Sequence, residues 1–215
     1  MGCLGLILVI LIALPVIFLL LFLNIITLSF GQLGLSPEAA VTLLLAMVLG
    51  SMVNIPISRR RILYEQPRPL YLRFFFYLPP RVRHQVIAVN LGGAVIPVVF
   101  ALYLLPRSPL LATLEATIVV IVATRLLAKP VPGVGIVMPA WIPPVISAGL
   151  ALLLARDNPA PVAYISGTLG TLIGADLLNW PNFKKLGAHL ISIGGAGVFD
   201  GIFLAGIMAV LITSL

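Results

Sequence analysis

Only 6 of the 215 residues are Asp or Glu, and two of them lie inside long apolar runs. Asp176 sits in Gly174-Ala-Asp176-Leu-Leu-Asn179, and Asp200 in Gly197-Val-Phe-Asp200-Gly201. An ionisable side chain within a membrane helix costs roughly 2.5–3.5 kcal/mol on insertion scales, so its presence asks for a function. A carboxylate there can give and take protons, as a relay in a transporter or as an acid or base in catalysis. Two on consecutive antiparallel segments are a stronger signal than one, and a short turn near Pro181 to Lys185 makes those segments neighbours. The other acids have ordinary places: Glu38, Glu65 and Asp157 in loops or at helix starts, and Glu115 near an interface.

The elements that must hold this pair follow from composition. With 61% hydrophobic and 9% charged residues, the chain falls far outside the range of soluble domains, where about a quarter of residues are charged. A β-barrel would show short segments of alternating polarity, whereas Leu4 to Phe30 is apolar on every side. The expectation is an all-α, polytopic transmembrane bundle in the cell membrane, one integral domain over 1–215. About seven spans can be drawn, at 4–29, 37–57, 86–105, 109–128, 134–155, 160–180 and 187–214. The first has neither a basic leader nor a small-residue cleavage site, and reads as a retained helix. Cys3 is the single cysteine, so no intrachain disulfide forms. Of the 13 basic residues, all but Arg107 and Arg156 fall in loops on one side. The positive-inside rule then puts the N-terminus in and the C-terminus out.

The cytoplasmic loop 58–85 interleaves Arg59, Arg60, Arg61, Arg68, Arg73, Arg81 and Arg83 with Tyr64, Tyr71, Phe74, Phe75, Phe76 and Tyr77. Arginines at anionic headgroups and rings at the acyl boundary make a lipid bilayer the expected partner, with Arg59, Arg60, Arg61, Arg73, Arg81 and Arg83 as headgroup contacts. A topology determinant with no further role explains the loop equally well, and nucleic acid is not expected. Two spans are broken. Five prolines, from Pro130 to Pro144, with Gly133 and Gly135, predict unwound backbone at the start of the fifth. Gly194, Gly195, Gly197 and Gly201 predict tilt or loosening in the seventh.

A faint repeat is also visible. Asn54-Ile-Pro56 matches Asn179-Trp-Pro181, Gly92-Gly-Ala94 matches Gly194-Gly-Ala196, and Pro15-Val-Ile17 matches Pro144-Val-Ile146. The order is kept in all three, as in a parallel three-helix duplication of the kind some transporters carry.

Helical geometry constrains the aspartates further. At about 100° per residue, Gly167, Gly170 and Gly174 form one stripe on the sixth span, with Asp176 and Asn179 on the opposite side. The stripe can pack backbone against backbone. His189 and Asp200 share a face if the seventh span is a continuous helix. Depth opposes the pair: on straight helices the two aspartates differ by roughly 13 Å at about 1.5 Å per residue. Contact therefore requires the segment before Gly197 to be bent, re-entrant or interfacial.

Two membrane aspartates on adjacent helices joined on the cytoplasmic side, the second behind a glycine pair, resemble the intramembrane aspartyl proteases of the presenilin, signal-peptide-peptidase and prepilin-peptidase type. The resemblance covers only the last two spans. It implies that Asp176 matches the first aspartate and Asp200 the second, sharing a proton so that one acts as base on a water and the other as acid on the scissile carbonyl. Val198 and Phe199 intervene where the family places Asp directly after the glycine, Ala175 stands in place of a Tyr, and Pro139-Ala140-Trp141 precedes both aspartates. Over its full length, the glycine- and proline-rich pattern resembles an uncharacterised prokaryotic membrane-protein family known as a domain of unknown function, which implies no activity.

Asn179, Gly197, Gly201 and His189 are the supporting or substrate-binding candidates. Asn24, Asn54 and Asn90 read as helix-packing or capping groups. No metal site, phosphate-cradling loop or nucleophile elbow is recognisable, and no cofactor is expected. Three readings stay open: a protease acting on a membrane-embedded peptide, a small-solute or proton-coupled transporter with the same aspartates in a midplane cavity, and a purely structural role in which Asp176 caps a helix and Asp200 makes a polar contact.

Overall fold

The computed structural model describes residues 3–64, 81–187, 189–195 and 199–213. Each of the seven expected segments contains one α-helix: α1 (Cys3–Gly31), α2 (Pro37–Gly50), α3 (Ile96–Leu104), α4 (Leu110–Leu127), α5 (Ile142–Leu154), α6 (Pro159–Thr171) and α7 (Phe199–Thr213). The purely helical expectation is corrected by strands at several of their ends. These are β1 (Asn54–Tyr64), β2 (Arg81–Asn90), β3 (Lys129–Val131), β4 (Gly135–Val137) and β5 (Leu190–Ile193).

β-Branched residues account for the switch. Val86-Ile-Ala-Val89 and Ile191-Ser-Ile193 lose side-chain freedom in a helix and fit a pleated sheet. A hydropathy window sees only that these runs are apolar. β1 pairs antiparallel with β2, and β2 pairs parallel with β5, giving the order β1-β2-β5. Pro56 is tolerated because β1 is an edge strand and its register shifts between Pro56 and Ser58. The proline-rich stretch 129–141 does leave the helix, as expected: β3 and β4 form a hairpin whose turn uses positive φ at Gly133 and Gly135.

Polarity is distributed with apolar side chains outward. On α4, Leu111 and Leu126 are 72% and 76% exposed. α6 is central, buried from Ala160 to Thr168, and carries the buried hydroxyls of Ser166, Thr168 and Thr171. Its Ala163 clusters with Ala112, Ala116, Ala148, Ala151 and Ala209 of the surrounding helices, letting backbones approach closely. At the other end of the bundle, Phe30, Phe100 and Tyr164 pack ring to ring, with Phe100 and Tyr164 edge-on at 5.0 Å. Among the described residues, the helical stretches Leu110–Leu127 and Pro159–Phe183 are long and apolar enough to cross a membrane.

Two glycines of the expected stripe, Gly170 and Gly174, pack closely against α4. A Cβ at Gly170 would meet Val120 Cβ at 2.6 Å, and one at Gly174 would meet Thr124 Oγ1 and, at 2.5 Å, the Ile121 carbonyl. At this close approach the Thr124 hydroxyl, 2.8 Å from the Val120 carbonyl of its own helix, is shared with the Gly170 carbonyl at 3.1 Å. Thr124→Val removes that bond at nearly constant volume. We expect it to destabilise the protein by about 1 kcal/mol, read as a lowered unfolding midpoint in detergent micelles.

Candidate functional site

α6 does not end cleanly. Its last turn widens into a π-helical turn, Leu172–Asp176, and then tightens into a 3-10 stretch, Leu177–Leu186. Such breaks leave main-chain groups to be satisfied by other partners. Asp176 stands at the junction. It is 2% exposed, and its Oδ2 accepts a hydrogen bond from the Gly194 backbone N–H at 2.8 Å.

Gly194 is placed to do this by the end of β5. Its φ is +70°, and a Cβ there would lie 2.7 Å from Ala94 Cβ and 2.8 Å from the Gly93 carbonyl carbon. Only glycine satisfies both the conformation and the fit. The two Gly-Gly motifs of the repeat therefore meet: β2 runs through Gly92 and Gly93 into α3, and parallel β5 runs into Gly194 and Gly195 ahead of α7. The other two motif pairs fall on dissimilar elements. Asn54 opens a strand while Asn179 lies in the 3-10 stretch, and Pro15 is inside α1 while Pro144 is in the first turn of α5.

A polar cluster adjoins this junction. Asn90 accepts from the Gly93 N–H at 2.7 Å, capping the π turn Leu91–Val95, and donates to the Ser51 carbonyl at 2.7 Å. It also donates to Asn54 Oδ1 at 3.2 Å, and the Ser192 hydroxyl donates to that same oxygen. One carboxamide thus ties β1, β2 and β5 together at the end from which Gly194 reaches Asp176. Asn54 is exposed and Asn90 buried, so the polar line runs inward from the surface. Asn54→Ala removes the shared acceptor, and we expect a loss of about 1–2 kcal/mol, read with faster amide exchange at residues 190–194.

The capping role expected of Asn90 is realised. Its joining with Asn54 and Ser192 was not visible in sequence, although Asn54 and Asn90 flank the basic segment symmetrically and Ser192 is the one hydroxyl in β5. Asn179, fully buried, donates to the Ala175 carbonyl at 2.9 Å and accepts from Asn182 at 3.1 Å, bracing the backbone beside Asp176.

Asp200 is the second residue of α7, not the thirteenth of a longer helix. α6 and α7 run antiparallel: Gly206 faces Tyr164 and Thr168, and Val210 packs with Ala160. Residue 200 precedes Gly206 by six positions, or about 9 Å of helix. That brings it level with the last turns of α6 before Asp176. The depth mismatch expected from straight helices is therefore reduced, because residues 190–195 are strand and turn.

The same strand separates His189 from α7, so the common helical face expected for His189 and Asp200 does not form; His189 is exposed. Gly201 lies in the first turn of α7, and Gly197 lies outside the described residues. The basic segment 58–85, expected as a loop, is strand at Arg59, Arg60, Arg61, Arg81 and Arg83, while Arg73 is outside the described residues. Glu115 is exposed on α4, and Arg107 lies over the Tyr103 ring at 4.0 Å to its centroid.

Comparison with curated proteins finds no match, and comparison with solved structures finds none either. Nothing in these comparisons extends the resemblance to aspartyl proteases. A family model described as a protein of unknown function (DUF1614) matches residues 48–212, more than half of the chain, and the chain belongs to that family.

Proposed function

We propose that this chain is a multi-pass protein of the cell membrane and an intramembrane aspartyl protease whose catalytic pair is Asp176 and Asp200. Seven crossings with the N-terminus inside and the C-terminus outside belong to the same reading. The outward apolar faces, the buried hydroxyls of α6 and the one-sided distribution of basic residues support it. The observation that carries the active-site assignment is the position of Asp176. It is a buried carboxylate that accepts from the N–H of Gly194, shortly before α7 begins in the chain.

In this reading one carboxylate takes a proton from water as the water oxygen adds to the scissile carbonyl carbon. The other, protonated, donates to the carbonyl oxygen. Collapse of the tetrahedral diol breaks the C–N bond, and the amine leaves with a proton returned by the pair. The substrate is a membrane-embedded peptide segment. Asn179 positions the Asp176 backbone, and Gly197, Gly201 and His189 are assigned to substrate binding or support in the same reading.

The purified protein, reconstituted in liposomes with labelled reporter helices, is expected to cut within the apolar segment, with product masses locating the bond. No cleavage across a panel of reporters, together with proton or solute flux, would replace this reading with a transporter. That second reading rests on the two parallel strand-glycine-helix units.

A further inference from the structure

The pairing of β1 with β2 runs from Asn54↔Asn90 to Tyr64↔Arg81, but β5 joins β2 only from Val86 to Val89. Residues 60–64 and 81–85 therefore extend past the three-stranded sheet as a two-stranded ribbon, which with Arg59 at its root, opposite Val86, comprises 59–64 and 81–85. Five of its eleven positions are arginine (Arg59, Arg60, Arg61, Arg81 and Arg83), one is His84, and none is acidic. The register sets Arg59, Arg60 and Arg61 opposite Val86, Gln85 and His84, and sets Arg83 and Arg81 opposite Ile62 and Tyr64. No arginine is matched to an acid across the ladder. Like charges gathered on neighbouring strands oppose pairing unless counter-charge is supplied.

The base of the ribbon says where that counter-charge lies. β1 begins four residues after α2 ends, and β2 passes directly into the π turn that opens α3. Asn90 fastens the base by its bonds to Asn54 and to the Ser51 carbonyl. α2 and α3 carry exposed apolar side chains, including Leu45, Leu49, Val99 and Leu102. A ribbon rooted at the ends of two such helices stands at the headgroup level of the bilayer that covers them. At about 3.4 Å per residue it reaches roughly 20 Å, enough to meet several phosphates.

We propose that the arginine ribbon 59–64/81–85 is a binding surface for anionic phospholipid headgroups. Guanidinium groups match phosphate oxygens in a bidentate manner, and each basic group near an anionic leaflet adds to the attraction. The proposal requires that the protein be embedded in a membrane, but is independent of the aspartate pair.

The test is amide exchange of the full chain in nanodiscs of phosphatidylcholine alone and of phosphatidylcholine with a quarter phosphatidylglycerol. Residues 59–64 and 81–85 are expected to exchange roughly tenfold more slowly with the anionic lipid. The slowing is expected to vanish in high salt and in the Arg59→Gln/Arg60→Gln/Arg61→Gln variant. Should that variant not fold, the salt arm with the wild-type chain decides alone. Equal exchange in the two lipids overturns the proposal. Equal protection by inorganic phosphate in phosphatidylcholine nanodiscs assigns the ribbon to a soluble anion instead, and protection only by an added oligonucleotide assigns it to nucleic acid; either result also overturns it.

Discussion

Asp176→Asn and Asp200→Asn are each expected to abolish cleavage of a reporter helix while leaving the unfolding midpoint close to that of the unaltered protein. The carboxamide that Asp176→Asn introduces keeps an oxygen that can accept from the Gly194 N–H, so the bond that locks β5 to α6 survives. What is lost is the ability to take up and return a proton, and removing a general acid or base typically costs about 10²–10⁴-fold in rate. Because the two carboxylates act on one water and one carbonyl, the double variant is expected to be no slower than either single variant. A role limited to satisfying Gly194 predicts something else: Asp176→Asn would retain cleavage, and Asp176→Ala would lose stability. Cleavage retained in either single Asp→Asn variant removes that residue from the catalytic pair.

The largest stability effect is expected at Gly92. This glycine lies in the π turn between β2 and α3, against the C-terminal end of α2. A Cβ there would collide with the Met47 carbonyl and the Ser51 N–H, and would lie 2.8 Å from the Gly50 carbonyl carbon. All three are main-chain groups, so no side-chain rotation relieves the contact. Overpacking of this kind costs about 1–3 kcal/mol, and Gly92→Ala is expected to reach at least the upper end of that range. The displacement also pulls Ser51 away from Asn90, loosening the carboxamide cluster at the end of the sheet. Gly149, in α5, is the matched control. Nothing lies within 4 Å of a Cβ at that position, so Gly149→Ala is expected to be neutral or to stabilise by up to about 1 kcal/mol through helix propensity. Unfolding in mixed micelles reads both variants, and a Gly92→Ala midpoint equal to that of Gly149→Ala contradicts the close approach of α2 and α3.

How much of this was legible in the sequence depends on which signal each element carries. Continuous apolarity marked the seven segments, and each holds a helix. The same continuity concealed Val86–Val89 and Leu190–Ile193, because outward positions such as Leu190 are as apolar as the buried Ile191 and leave little polar alternation to count. The cost fell on the site. With residues 187–198 read as helix, Asp200 lay too deep to meet Asp176; with residues 190–195 as strand and turn, it stands at the mouth of α7. Asp176 was legible because a carboxylate in an apolar run is expensive. Asn54, Asn90 and Ser192 were not, because an asparagine that caps a turn and one that also joins three strands have the same local sequence. The glycine stripe was legible through spacing alone, whereas the contact of Gly194 with Gly93 and Ala94 joins residues far apart in the chain.

The central claim is that Asp176 and Asp200 belong to one site, and crosslinking tests it most directly. Cys3 is the only cysteine, so Cys3→Ser gives a background in which Asp176→Cys and Asp200→Cys can be introduced together. A bifunctional thiosulfonate with a short spacer is expected to link the two positions in native membranes, protecting both thiols from a later maleimide. It is not expected to link Asp176→Cys to Val210→Cys, which lies toward the other end of α7. Thiols at 176 and 200 that each react singly but never crosslink would contradict the account.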